Sequence, residues 1–197
     1  MKKLIIIFAL LIIAFLTIYY RVILPDPWLH GETLRLPTVD AYYQARFAQV
    51  INSHGTDLPV RDPYFMSSGD YGISDITLWP TIIATLSQLF PSNGIDTVCY
   101  YLPPILALLC VIGVFFIGAM LFNPWAGLFA SLLLSTMGGE FMARSIAGSA
   151  DYHAFEAFCL VGFTLCVVSS VKYHNNGIAS WLCSICAGLI MAMYFMA

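Results

Sequence analysis

The sequence predicts an all-α membrane protein with about five transmembrane helices and a long outer loop containing amphipathic interfacial helices. Hydrophobic residues make up 60% of the 197 residues and charged residues only 10%, whereas a soluble domain carries roughly a quarter charged residues. The apolar residues form long runs, with polar residues gathered between them. A net charge of −3 excludes the basic surface of a nucleic-acid-binding domain. We therefore expect membrane lipid, and no nucleic acid, as a partner.

The first predicted span covers residues 4–20, an apolar run that follows Lys2 and Lys3. A helix of this length reaches about 25 Å, just enough for the hydrocarbon core of a bilayer. A cleaved signal peptide is the alternative, but the residues after Ile18 (YYRV) lack the small side chains of a cleavage site. We expect an uncleaved span whose lysines hold the N-terminus in the cytoplasm.

An outer loop is predicted from residue 21 to residue 98. Within it, Thr38 is a favourable N-cap for an amphipathic helix. The apolar residues of that helix recur at helical spacing and should face the membrane interface; they are Val39, Tyr43, Phe47, Val50 and Ile51. Aromatic residues elsewhere in the loop suggest interfacial anchors; they are Tyr42, Tyr43, Tyr64, Tyr71 and Trp79.

Residues 76–90 form a shorter apolar run that contains Pro80. A run of this length is often re-entrant or interfacial, so we interpret it as a helix lying in or dipping into the outer face. Four further spans are predicted, at about residues 99–122, 126–141, 154–171 and 178–197. This arrangement gives a multi-pass protein of the cell membrane with the polar loops on the outer face. All three lysines then fall inside, as the positive-inside rule requires, and all arginines and acidic residues fall outside or at the outer interface.

A polar cluster between two apolar runs is the strongest candidate site. It runs from Arg144 to Glu156 (RSIAGSADYHAFE), where charge is costly and usually functional. Asp151 and His153 open the following helix, and their side chains could converge on one cation with Asp40. Carboxylate oxygens and one imidazole suit Mn²⁺ or Mg²⁺. The alternatives are that Arg144 and Asp151 form an ion pair pinning a loop, and that Asp40 is favoured in its helix by the dipole alone.

Two motifs resemble those of the catalytic subunit of oligosaccharyltransferases. The run from Val39 to Arg46 (VDAYYQAR) is similar to the family's first acidic motif, an Asp followed by aromatics in the first outer loop. The run from Arg144 to His153 (RSIAGSADYH) is similar to the second, and its Asp-x-His ending is closest to archaeal members. The segment Arg61-Asp62-Pro63-Tyr64 also resembles a recurring element of the family's first loop.

The resemblance implies an enzyme that transfers an oligosaccharide from a dolichyl phosphate or diphosphate carrier to asparagine in an Asn-x-Ser/Thr acceptor. It assigns Asp40, Asp151 and His153 as ligands of Mn²⁺ or Mg²⁺, and Asp40 and Arg144 as catalytic residues. Family members are longer, and their soluble C-terminal domain and a later outer loop with a further acid have no counterpart in residues 1–197. We therefore interpret these residues as the N-terminal part of the transmembrane domain and expect the chain alone to be inactive.

Two other functions fit part of the pattern. Another polytopic glycosyltransferase that uses a lipid-linked sugar, such as a protein mannosyltransferase, would also carry an acid in its first outer loop. It would not need the second motif. A non-catalytic transporter or scaffold subunit would use Arg144 and Asp151 as a structural pair, and metal binding would separate it from both enzymes.

The predicted topology can be tested by cysteine labelling. Single cysteines at Ser53 and Asn93 should react with an impermeant reagent from the same, outer side, because residues 76–90 are predicted not to span. Labelling of Asn93 from the cytoplasmic side would contradict that assignment.

Overall fold

The computed structural model describes residues 2–25, 36–55, 77–90 and 94–197. Within them the chain is helical and contains no strand. The helices are α1 (Lys2–Ile18), continued by a π-helical turn (Tyr19–Ile23), α2 (Val39–His54), α3 (Leu78–Ser87), α4 (Gly94–Leu121), α5 (Pro124–Thr136), α6 (Glu140–Ala143), α7 (Tyr152–Lys172) and α8 (Gly177–Phe195). The predicted all-α membrane fold is confirmed. Predictions for Arg61–Tyr64, Tyr71, Ile76 and Asn93 fall outside the described residues.

Four of the described helices are long and apolar enough to cross a membrane: α1 with its π turn, α4, α7 and α8. The span predicted at residues 126–141 differs, because α5 ends at Thr136. Its 13 residues extend about 20 Å. The helix ends there because two glycines follow, and Gly139 has a φ of 124°, a conformation that favours glycine. The short helix α6 follows, from Glu140 to Ala143.

Helix α4 lies at the centre and packs against α1, α2, α3, α5 and α7, while α8 packs on α7. One end of this bundle collects the C-terminal ends of α1, α5 and α8 and the N-terminal end of α7. The opposite end holds Lys172, whose ammonium donates to the Met120 carbonyl at 3.4 Å. The end that holds the start of α7 also holds Arg144 and Asp151. The lysines at the start of α1 lie at the opposite end, with Lys172.

Helix α2 begins as predicted, because the Thr38 hydroxyl accepts a hydrogen bond from the Ala41 N–H. The apolar face predicted to lie on the membrane interface is divided. Val39 and Tyr43 are exposed, as an interfacial face requires, whereas Phe47 and Val50 are buried with three alanines on the side that packs towards α3 and α4. The reason is close packing. Alanines allow the backbone of α2 to approach α3 and α4, and this packing decides which side of the helix is buried more than the spacing of the larger apolar residues does.

Glycine makes the contact between α4 and α5 possible. A Cβ at Gly127 would collide with the Phe115 carbonyl and lie 3.0 Å from the Ala119 nitrogen. Gly118 meets Gly127 in the same region. The two helix backbones therefore touch there, as small residues allow between membrane helices.

We expect Gly127→Ala to lower the free energy of unfolding by about 1–3 kcal/mol, because the added methyl forces the α4 and α5 backbones apart. Unfolding in mixed detergent micelles with increasing SDS would measure the change. Gly188→Ala is the matched control, since a Cβ there meets nothing within 4 Å. Equal stability of the two variants would contradict the proposed backbone contact.

Candidate functional site

The second motif adopts an irregular, tightly turned conformation between α6 and α7. Ser149 donates from its N–H to the Ile146 carbonyl at 3.1 Å and from its hydroxyl to the Ala143 carbonyl at 3.2 Å. Gly148 has a φ of 83°, which favours glycine over other residues. The glycine of the second motif therefore provides the turn.

Three other parts of the bundle hold this segment through its backbone. The Ala147 N–H donates to the Arg21 carbonyl at 2.8 Å, and the Gly148 N–H donates to the Tyr100 carbonyl at 3.0 Å. The Trp79 indole N–H donates to the Ala150 carbonyl at 3.0 Å. The end of α1, the first turns of α4 and the start of α3 together determine where the motif lies.

Tyr100 can offer its carbonyl because of a proline. Pro104 lies four residues further along α4, and proline has no N–H to donate to the carbonyl of residue i−4. A carbonyl released in this way inside an apolar bundle needs another donor. The Gly148 N–H supplies one. The second motif is therefore attached to α4 at the carbonyl that Pro104 leaves without a donor from the helix.

Trp79 corrects one sequence prediction. It was expected to anchor the chain at the membrane interface, but it is fully buried. Its ring stacks on Phe155 of α7 with centroids 5.4 Å apart. Burial is favourable because the indole ring fills the core while its N–H has a hydrogen-bond partner. Trp79 is thus part of the support beneath the site.

The guanidinium of Arg144 joins the two motifs. Its Nη1 lies 2.7 Å from Asp151 Oδ2 and 3.5 Å from Asp40 Oδ2, and its Nε lies 3.2 Å from Glu140 Oε2. The hydrogen bond to Glu140, followed by the charges of Asp151, Glu140 and Asp40, raises the pKa of Arg144 above its usual value. The guanidinium is therefore a fixed positive charge between three acids. The ion pair considered in the sequence analysis is present.

Asp151 does not serve as an ordinary helix cap. It occupies the N-cap position of α7, but its side chain makes no capping hydrogen bond. The side chain is 1% exposed, and Oδ1 has no hydrogen-bond partner. A buried carboxylate oxygen without a donor is costly, so this geometry favours a role beyond starting the helix.

His153 completes the group. Its Nε2 lies 3.9 Å from Asp151 Oδ2, and its Nδ1 lies 2.8 Å from Glu156 Oε2. His153 and Glu156 are three residues apart on α7, so both side chains lie on nearly the same face of the helix. A carboxylate on one ring nitrogen fixes the orientation of the imidazole and leaves the other nitrogen available.

The structure brings Asp40, Asp151 and His153 together, with Arg144 among them. In the described ranges, no three His, Cys, Asp or Glu side chains form a group that could hold a metal ion as they stand. Arg144 Nη1 is the positive group that contacts both aspartates. Asp151 Oδ1 and His153 Nε2 are atoms of the types that bind divalent cations in proteins.

Sequence reasoning missed the residues that position the motif. Arg21 was treated as an interfacial residue, yet it is fully buried and contacts Ser145. Pro104 was overlooked inside an apolar run. Signals for both exist in the sequence, since an arginine that ends an apolar run and a proline within one each leave polar groups that need partners.

The comparisons with known proteins agree on the fold. A family model described as oligosaccharyl transferase STT3, N-terminal, matches residues 4–197. A search of curated proteins found no match. Among solved structures, the apo oligosaccharyltransferase of Archaeoglobus fulgidus aligns with a TM-score of 0.83 and 21% identity, over 97% of this chain and 23% of that one.

Two ligand-bound structures from the same organism are also similar. The form tethered to an acceptor peptide containing the NVT sequon has a TM-score of 0.85 and 21% identity, over 99% of this chain and 24% of that one. The complex of AglB with an inhibitory peptide and a dolichol-phosphate has a TM-score of 0.80 and 22% identity, over 99% and 24% respectively. The chain thus spans about a quarter of the length of these relatives. Since the family model covers almost every residue, the chain belongs to the oligosaccharyl transferase STT3 family and carries its N-terminal region.

Proposed function

We propose that this chain contributes to an oligosaccharyltransferase that moves an oligosaccharide from a dolichyl phosphate or diphosphate carrier to an acceptor asparagine in N-glycosylation. Family membership supports this reaction class. So do the acceptor peptide and the dolichol-phosphate bound by the Archaeoglobus fulgidus relatives. The observation that carries the proposal is the meeting of Asp40 and Asp151 on one guanidinium, that of Arg144.

The acceptor amide presents the main chemical difficulty. Its nitrogen is a poor nucleophile because its lone pair is delocalised into the carbonyl. The Asp40 side chain is 64% exposed, so its carboxylate can accept a hydrogen bond from the amide N–H of an incoming asparagine. Arg144 holds that carboxylate in place and adds a positive charge where a leaving phosphate would develop negative charge. Both roles follow from groups at one end of the bundle.

A divalent cation, Mn²⁺ or Mg²⁺, is the cofactor we propose for this site. Asp40, Asp151 and His153 would hold it, because they supply carboxylate oxygens and an imidazole nitrogen from one small region. The orphaned Asp151 Oδ1 is the observation that favours an ion there. When bound, such a cation would stabilise negative charge on the departing phosphate.

A cavity beside the cluster suits the lipid donor. It has a volume of about 370 Å³, and its polar lining consists of Arg144 and His153 with their partners Glu140 and Glu156. Its remaining wall includes Phe141, Leu160 and Tyr194. A phosphate could contact the guanidinium in place of Glu140 while the polyprenyl chain follows the apolar wall.

We also propose the membrane orientation. The acids of the site lie at the end of the bundle opposite Lys172 and the start of α1. The positive-inside rule then places the N-terminus in the cytoplasm and the site on the outer face of the cell membrane. An acceptor polypeptide on that side would reach the site without crossing the bilayer.

Glycan transfer tests the proposed reaction. Joined to the remainder of the Archaeoglobus fulgidus enzyme, the chain should transfer glycan from a lipid-linked donor to a sequon peptide, whereas alone it should not. Asp151→Ala in the fusion should slow transfer at least ~10²-fold, because a group that stabilises the transition state is lost. Asp96→Asn is the control, an acid outside the Arg144 cluster. An active fusion indifferent to Asp151→Ala would mean that Asp151 only pins a loop.

Cation binding gives a readout that does not depend on activity. The 197-residue chain in lipid nanodiscs, titrated with Mn²⁺ and followed by electron paramagnetic resonance, should bind one ion. Glu156→Gln should weaken binding roughly tenfold by releasing His153, and Asp151→Asn should weaken it further. Arg144→Gln should tighten binding, because the guanidinium competes for the same carboxylates. Equal affinities in wild type and Asp151→Asn would contradict the proposed site.

A further inference from the structure

Arg21 is a fully buried arginine at the end of α1, within the π-helical turn. Burying a guanidinium in an apolar bundle is costly unless its donors are satisfied. None of the described residues offers it a carboxylate within ion-pair distance. Its partners are instead a hydroxyl, two backbone carbonyls and an aromatic ring. These partners connect α1 to the end of α5 and to the second motif.

Two of these partners are carbonyls at the end of α5. Nη1 donates to the Ser135 carbonyl at 2.9 Å, and Nη2 lies 3.5 Å from the Leu134 carbonyl. Helix α5 ends at Thr136, so these belong to its last turn, where carbonyls lack partners within the helix and carry partial negative charge. Arg21 thus caps α5 with a positive charge.

The other partners belong to the second motif and to the short helix before it. Arg21 Nε donates to Ser145 Oγ at 2.9 Å, and the guanidinium carbon lies 5.2 Å from the centre of the Phe141 ring. The backbone carbonyl of Arg21 accepts from the Ala147 N–H at 2.8 Å. Ser145 adjoins Arg144, and so the side chain and the backbone of one residue both fix the segment that bears the site.

We propose that Arg21 is a positioning residue, which joins the end of α5 to Ser145 and Ala147 and so holds Arg144 and Asp151 opposite Asp40. The inference rests on the proposed function of that cluster, although Arg21 touches none of its charged groups. Arginine suits the task because its planar guanidinium directs several donors at once, whereas the lysine ammonium acts from a single point. The short length of α5 has a consequence here, since two carbonyls of its last turn, which lack partners within the helix, accept hydrogen bonds from Arg21.

Thr17 offers a matched control on the same helix. It is also fully buried, and its hydroxyl contacts Ser135 Oγ at 3.0 Å. It therefore joins α1 to α5 as Arg21 does, but it makes no hydrogen bond to residues 144–151. A general loosening of the contact between α1 and α5 would affect both variants, whereas a positioning role is specific to Arg21.

Hydrogen–deuterium exchange of the 197-residue chain in nanodiscs tests the proposal without requiring activity. Arg21→Gln should raise exchange at the Ala147 and Gly148 amides roughly tenfold, because the local opening of the segment becomes easier. Arg21→Lys should give an intermediate value, and Thr17→Val should leave this segment as in wild type. If Arg21→Gln does not fold, Arg21→Lys and Ser145→Ala should still raise exchange there. Exchange equal to that of Thr17→Val in these variants would overturn the proposal.

The transfer assay separates this inference from the proposed function. In the active fusion, Arg21→Lys should lower kcat for glycan transfer and leave the KM for the peptide nearly unchanged, because the peptide does not contact Arg21. A lowered kcat in Thr17→Val of the same size would mean that Arg21 only stabilises the fold. Failure of the wild-type fusion would refute the proposed reaction, and the exchange result would still decide the role of Arg21.

Discussion

The polar backbone of residues 144–151 imposes the constraint on which the rest of this bundle depends. Lipid supplies no hydrogen bonds, so a non-helical segment among membrane helices must find every partner within the protein. Arg21 and Tyr100 supply backbone carbonyls, and Trp79 supplies an indole N–H. Three elements therefore contribute hydrogen-bonding groups to one turn, and the same contacts fix the position of Arg144 and Asp151.

This support explains how a charged cluster can exist beside apolar helices. Asp151 is almost fully buried, and a buried charge needs an opposite charge held in a fixed place. Arg144 supplies it, and the hydrogen bond to Glu140 and the charges of the neighbouring acids raise the pKa of that guanidinium further. Within the cluster, the buried Asp151 Oδ1 has no hydrogen-bond partner. This unpartnered oxygen is the observation on which the proposed cation site rests.

Much of the architecture and the charged site could be predicted because each has a local signal. Apolar runs mark α1, α4, α7 and α8, and Thr38 marks the start of α2. The resemblance of the two motifs to oligosaccharyltransferases brought Asp40 together with Asp151. The predictions that failed concerned Trp79 and part of the interfacial face of α2, where Phe47 and Val50 are buried in the protein. Aromatic residues at an interface and in a core have similar local sequences, and packing between elements distant in the sequence decides between them.

The sequence by itself determined the membrane class, the helical fold, the family and the residue types of the site. These follow from composition, from the length of apolar runs and from short motifs, which require no knowledge of distant contacts. Only the tertiary structure decided that Arg21 caps α5, that the carbonyl released by Pro104 holds Gly148, and that Arg144 contacts both aspartates. Each depends on the distance and angle between groups from separate helices, and those are set by how the whole bundle packs.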